Sequence, residues 1–343
     1  MTLPAPLLYY RPPVAVPTEY RVGLCAWQDK SMLAEGHFYP ARSMKADERL
    51  WWYARFFDCV EVDSTFYAPL SARNAVLWSQ RTPHAFHVSV KAYALLTGHR
   101  LDAARLPEPL KALLPASASP TARGQYESRV FPAEAYDWAF ETFREALQPL
   151  QDSGKLGYVL FQMAPWVRYG DEALRYLETL PARLPGIPLA IEFRDASWLP
   201  AHTDEVLRFL AVRGLAYVSV DGPRTPASVA TTPALTSPVA ILRLHGRNRQ
   251  GFLKQLRGGA PTVAEKYGYL YSEAEIGELV QRGRGFDGHA RRVYFKLNNN
   301  VEDAPAINGL QIKDLLGLVS PDRGAIEAEW RARWRRRRAT PPF

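Results

Sequence analysis

The sequence predicts an α/β fold: a single (β/α)8 TIM barrel with long loops and an arginine-rich C-terminal helix or tail. Three observations predict it. Eight short apolar runs recur along the 343 residues, all but the first end on a polar residue of the kind catalysis uses, and a helical pattern or a loop separates each from the next. Alternation within the runs assigns the faces. Val60/Val62, Val88/Val90, Val159/Phe161, Ile191/Phe193, Val218/Val220, Leu242/Leu244 and Val293/Phe295/Leu297 form a set predicted to pack outward on helices. Glu61/Asp63, His87/Lys91, Gln162, Glu192/Arg194, Asp221, Arg243/His245 and Lys296/Asn298 form the set predicted to point inward. A barrel interior is normally filled with Val, Ile and Leu, so charges crowding the strand ends mark a site.

In chain order, residues 1–19 form an N-terminal arm whose Pro4, Pro6, Pro12, Pro13 and Pro17 favour an extended path. The barrel proper is predicted over 20–318. Its strands are Arg21–Trp27, Cys59–Asp63, His87–Lys91, Tyr158–Gln162, Ala190–Arg194, Tyr217–Asp221, Ile241–His245 and Tyr294–Asn298. Helices are predicted at Ala46–Phe57, with Leu50, Tyr53, Ala54 and Phe57 on one stripe, and at Ser71–Arg81, stopped before Pro83. Others follow at Ala133–Leu150, Asp171–Ala182, Thr203–Arg213 with Gly214 behind it, Ser272–Arg284 and Ala304–Leu318. The stretch Gly222–Pro238 is too rich in proline and threonine for a helix, so the sixth crossover is expected to be irregular. Gly98–Pro132, the longest irregular segment, reads as a lid or a disordered excursion. Residues 319–343 carry a short helix at Glu327–Arg338 and the arginine tail.

Composition excludes several classes of protein. A hydrophobic fraction of 47% and a charged fraction of 23% suit a soluble globular chain, and no apolar stretch approaches the length of a membrane span. Met1–Pro17 lacks the pattern of a signal peptide. Cys25 and Cys59 are too few for a disulfide framework and read as small buried residues in a reducing cytoplasm. The net charge of +8 is local: Arg331, Arg333, Arg335, Arg336, Arg337 and Arg338 leave about +2 for the rest. There is no GxGxxG, no GxxxxGK[ST] and no serine nucleophile elbow.

The candidate site is the ring of strand ends. Glu192 and Arg194 share parity, and a carboxylate beside a guanidinium stays ionised and oriented as a base or nucleophile. Glu61 or Asp221 is its expected carboxylate partner, with His245 as a further catalytic candidate. Arg243, His245 and Arg247 around Gly246 suggest an anion cradle. Lys91 adds a cation, Gln162 and Asn298 supply amides to orient hydroxyls, and Trp27 and Trp198 offer stacking surfaces. No cofactor is predicted. Glu61, Glu192, Asp221 and His245 could converge on a divalent metal, a weak signal without HxH, HExxH or a cysteine pair.

The runs Arg21–Trp27, Phe38-Tyr39-Pro40, Tyr53–Phe57 and Val60–Tyr67 resemble the DUF72 (YecE-like) family. So do Trp78 with Thr82-Pro83, Phe86–Lys91, Leu160–Gln162, Ile191–Arg194 with Ser197-Trp198, Arg243–Arg247 and Asn298–Asn300. The similarity runs in order from about residue 20 to residue 317. It implies a TIM barrel and carries no function, because the family is defined by an unknown one. Two departures stand out. Gly23-Leu24-Cys25-Ala26-Trp27 has Ala26 where the family opening has glycine, and a Thr-His pair becomes Thr97-Gly98-His99.

The expectation is an enzyme acting on a small polar, anionic or sugar-like substrate by carboxylate acid–base chemistry at the C-terminal mouth, as a hydrolase or an isomerase. Two alternatives stand beside it. One is a nucleic-acid-processing or nucleic-acid-binding barrel using the arginine tail, and the other a non-catalytic metabolite-binding barrel.

Overall fold

The computed structural model describes residues 7–224, 228–229, 231–260, 262, 265–266, 268–318 and 321–339, without the side chains of 252, 255, 256 and 334–339. Eight parallel strands form one sheet: β1 (Glu19–Leu24), β2 (Cys59–Val62), β3 (His87–Lys91), β4 (Leu156–Gln162), β5 (Leu189–Glu192), β6 (Ala216–Asp221), β7 (Val239–Leu244) and β8 (Arg292–Leu297). Around the sheet the order is β1-β8-β7-β6-β5-β4-β3-β2, so the chain winds once and the end strands β1 and β2 meet. At this seam the Asp58 N–H donates to the Val22 carbonyl (3.2 Å). One rung is made by a side chain. The Tyr53 hydroxyl accepts from the Leu24 N–H (2.7 Å) and donates to the Cys59 carbonyl (2.8 Å). Gly23 lies so close that a Cβ there would sit 1.8 Å from the Cys59 carbonyl oxygen. The sheet and its helices are a (β/α)8 TIM barrel.

The outer helices are α1 (Ala46–Phe56), α2 (Ala72–Arg81), α3 (Ala133–Asp152), α4 (Asp171–Arg183), α5 (Thr203–Val212), α6 (Glu273–Arg284) and α7 (Ala304–Leu315), followed by α8 (Arg323–Ala339). Each begins or ends within a few residues of its predicted bounds. Ser272 and Glu275 close a capping box on α6. The sixth crossover carries no helix among the described residues. Its segment 231–238 includes the short strand Ala234–Leu235, which pairs with Leu8–Tyr9 of the arm. Thr236 Oγ1 accepts from the Tyr217 N–H (2.8 Å) and donates to the Leu215 carbonyl (2.6 Å), covering the outer face of β6 with polar contacts.

Gly98–Pro132 is folded, and it packs on the body. Leu101–Asp102 pairs antiparallel with Gln125–Tyr126, a short helix spans Glu108–Ala112, and Leu101, Leu106, Leu110 and Phe131 are buried in the main core. Among the described residues no helix is long and apolar enough to cross a membrane.

Two cores result from strand alternation. Val60, Val62, Val88, Val90, Val159, Phe161, Ile191, Phe193, Leu242, Leu244, Val293, Phe295 and Leu297 face the helices, as predicted. The barrel interior is filled by Cys59, Tyr158, Leu160, Ala190, Ala216, Val218, Ile241 and Tyr294, with Val220 and Val239 against them. On β6 the predicted faces are reversed. Val218 and Val220 are the inward residues, so Asp221 points out of the barrel.

Candidate functional site

Above the apolar plug, the inward alternation of six strands brings polar side chains together at the C-terminal end. Arg243 on β7 is the centre. It is fully buried, and one guanidinium nitrogen donates to Glu61 Oε1 (2.7 Å) while the other donates to Glu192 Oε2. Glu61 and Glu192 have no solvent contact either. Glu61 Oε2 accepts from the Tyr158 hydroxyl (2.7 Å). Glu192 Oε1 accepts from Gln162 Nε2 (2.6 Å) and Arg194 (3.3 Å), with His245 Nε2 at 3.3 Å. Asn298 Nδ2 lies 2.9 Å from His245 Nδ1, which makes Nδ1 the acceptor and leaves Nε2–H for Glu192.

Burial alone would raise the Glu192 carboxyl, but Arg243, then His245 and Arg194, hold it well below the usual carboxylate range. Burial likewise opposes ionisation of Glu61, and Arg243, Lys296 and Tyr158 lower it nonetheless. Burial pushes His245 down to about 4, against the pull of Glu192, so its imidazole is neutral near pH 7. The result is a floor of two carboxylates clamped on one guanidinium. Lys296 lies inside the same wall, fully buried between the rings of Tyr158 (5.7 Å) and Tyr294 (5.3 Å).

Nearer the solvent, Lys91 Nζ sits 3.9 Å from Asp63 and 4.7 Å from the centre of the Phe66 ring. Burial raises the Asp63 carboxyl, with Lys91 opposing and Glu61 adding to the rise. Arg194 keeps about a quarter of its side chain exposed. His99 stands beside these groups, edge-on to Phe66 (4.8 Å) and flanked by Trp166 (5.7 Å).

Glu61, Lys91, Gln162, Glu192, Arg194, Arg243, His245 and Asn298 therefore converge. Four predicted members do not. Asp221 lies on the outer face, held by both ends of the Arg247 guanidinium (2.9 and 2.9 Å) and by the Tyr271 hydroxyl (2.9 Å). Arg247 itself is spent on Asp221 and on Glu275 (3.0 Å), so the cradle of Arg243, His245 and Arg247 is not built. Trp198 is fully buried, stacked on Phe193 at 4.1 Å with its indole N–H on the Val167 carbonyl (2.9 Å). Trp27 is buried with its ring edge-on to Trp78 at 5.8 Å. The carboxylate pairing of Glu192 with Asp221 fails for the same reason, since the two lie on opposite faces of the sheet.

The metal arrangement also fails on geometry. Among the described residues no group of three or more His, Cys, Asp and Glu side chains is disposed to hold an ion. Asp221 is turned away, and the Arg243 guanidinium fills the space between Glu61 and Glu192 that a cation would need.

Sequence alternation put Lys296 on the inward face without giving it a part, and it passed over Tyr158 as an apolar strand residue. His99 was visible only as a displaced partner of Thr97. Two surface grooves, of about 580 and 340 Å³, lie elsewhere, against the N-terminal arm and beside Lys254.

Comparison with known proteins bears on the family and the fold. The family profile described as "Protein of unknown function DUF72" matches residues 21–329. The UPF0759 protein YunF of Bacillus subtilis (strain 168) is 30% identical over 300 residues, covering 87% of this chain and 94% of that protein. A DUF72 family protein of Thermotoga maritima MSB8 superposes with a TM-score of 0.67 at 26% identity, over 87% of this chain and 99% of the other. One from Enterococcus faecalis V583 superposes with a TM-score of 0.71 at 24% identity, over 88% and 97%, which speaks for the fold. With a profile match over most of its length and a relative of this identity, the chain belongs to the DUF72 family.

Proposed function

We propose that the barrel binds a small anionic, hydroxyl-bearing molecule of sugar-like polarity at its C-terminal mouth and acts on it by proton transfer. One observation carries this reading: the mouth holds more cations than carboxylates. Among the described residues, Lys91, Arg194, Arg243 and Lys296 face Glu61, Asp63 and Glu192. Glu61, Glu192 and Arg243 satisfy one another, which leaves Lys91 and Arg194 as the accessible cations and favours an anion beside them. The Gln162 and Asn298 amides stand at the same level to orient hydroxyls.

The carboxylates serve here as the floor of the site. An acid–base pair needs access to the reacting atoms, and neither Glu61 nor Glu192 has any. The tail gives the nucleic-acid reading little. Arg331 is engaged by Glu327 (2.5 Å) and Arg333 lies over Trp51 (5.5 Å), while the side chains of Arg335, Arg336, Arg337 and Arg338 lie outside the described residues.

Sulfate tests the reading, since its charge is constant across the useful pH range. At 100 times its dissociation constant it should stabilise the fold by about 2.7 kcal/mol. The gain should vanish in a Lys91→Met, Arg194→Met double variant and persist in Arg247→Ala. Equal stabilisation in the double variant and the wild type would refute it.

A further inference from the structure

Among the groups at the mouth, His99 has the chemistry that the floor carboxylates lack. The turn Ala94–Thr97 ends on Gly98, whose φ of 75° is left-handed, and this swings the chain so that His99 folds back on Thr97. The Thr97 hydroxyl donates to the Ala94 carbonyl (3.2 Å), so its oxygen accepts from His99 Nδ1–H at 2.8 Å. That bond fixes the tautomer and leaves the basic lone pair on Nε2, which has no partner among the described residues. Phe66 and Trp166 hold the ring from two sides, and the Trp166 indole is itself tied to the Gly98 carbonyl (2.9 Å).

We infer that His99, and neither Glu61 nor Glu192, is the proton-transfer residue of this mouth, acting through Nε2 on an anion held by Lys91 and Arg194. The inference rests on the anion reading above. Nε2 takes a proton from a ligand hydroxyl, or from a C–H beside the anionic group, and the electron pair stays on the ligand. The imidazolium then returns the proton to the ligand or passes it to water.

The surroundings suit a base that is switched on by its own substrate. Burial, then Lys91 and Arg194, push His99 down to about 3, so the free site holds a neutral imidazole. Among the described residues, the charged groups acting on the ring are those two cations, from β3 and from the exit of β5. An anion placed between them cancels their repulsion of the imidazolium, and the histidine becomes a stronger base only when the anion is present.

Imidazole NMR on the full chain, titrated with and without sulfate, tests this, with the His99 signal assigned by its loss in His99→Gln. Sulfate should raise the His99 pKa by at least one unit, and Lys91→Met should raise it without sulfate. Suppose sulfate binds, with affinity lost in the Lys91→Met, Arg194→Met variant, yet the His99 titration stays put. The inference then fails while the anion reading survives. If sulfate does not bind the wild type at all, both fail.

Discussion

Removing the Arg243 guanidinium would leave Glu61 and Glu192 facing each other where no water reaches either. Breaking a buried ion pair from one side costs about 3–5 kcal/mol, because the remaining charge stays desolvated. Arg243→Met should therefore lose that much unfolding free energy in urea denaturation, and adding Glu61→Gln should restore part of it. The same geometry makes Glu192→Gln a stability variant. It should cost measurable stability by denaturation, where an accessible catalytic carboxylate would cost almost none. Protonation gives a second handle. His87, His99 and His245 are held down to about 3, 3 and 4, each chiefly by burial, against about 6.5 in the unfolded chain. The unfolded state thus binds more protons between these values. The stability they contribute is complete above pH 6.5 and is lost as pH falls through 6.5 toward 4 and 3. Melting temperature should drop steadily from pH 7 to pH 5, and less steeply in His87→Gln. A flat profile would mean that these imidazoles stay solvated. At this scale the sequence was legible where polarity and alternation agreed, as at Glu61, Glu192 and Arg243. It misled where an aromatic could serve either core or mouth. Trp198 carries no mark in its own sequence of the Phe193 face it stacks on.

Strand β6 shows why alternation alone does not assign a face. Its residues Ala216, Val218 and Val220 alternate with Tyr217, Ser219 and Asp221, and either set could line a barrel. Polar residues were assigned inward because an outer face normally meets an apolar helix. Here the sixth crossover supplies a polar segment, so Ser219 and Asp221 find partners outside and the small valines complete the plug. The proline and threonine content of Gly222–Pro238 marks an irregular crossover, and such a crossover leaves the facing strand without an apolar helix to cover it. The β1/β2 seam is a device of another kind. Tyr53 was read as one member of an apolar stripe on α1, and its packing fits that reading. Its hydroxyl is also a rung of the ladder, which nothing in a helical pattern reveals. Tyr53→Phe keeps the ring and orphans a buried N–H and a buried carbonyl, each costing about 1–3 kcal/mol. Thermal denaturation should show a loss in that range, with hydrogen exchange at Leu24 accelerated more than at β6. Unchanged protection at Leu24 would show that β1 and β2 close the barrel without the phenol.

Across the whole molecule, charge is divided between two places. The mouth carries its small cation surplus above the barrel floor, and most of the net +8 sits in the last helix. That helix is docked. Ile326 and Trp330 pack on the core, Glu329 pairs with Arg55 (3.0 Å), and Arg323 donates to the carbonyls of His37 (2.6 Å) and Phe38 (3.0 Å) while lying over Trp52 (5.5 Å). Four residues apart on one helical face, Trp330 and Trp334 are expected to dock together on the barrel; the side chain of Trp334 lies outside the described residues, and Trp330 packs on the core. Deleting residues 321–343 removes this cover from Trp51 and Trp52, together with the Arg323 bonds to the loop after β1, and leaves Lys91 and Arg194 in place. The truncated chain should melt several degrees lower, since burying even part of an indole stabilises by about 1 kcal/mol or more. Its affinity for sulfate should equal that of the full chain at moderate salt, where the screening length is about 8–10 Å. Should sulfate affinity fall with the tail, the anion site belongs to the arginines and not to Lys91 and Arg194. Should the melting temperature hold, the helix is an appendage whose charges are free for another partner.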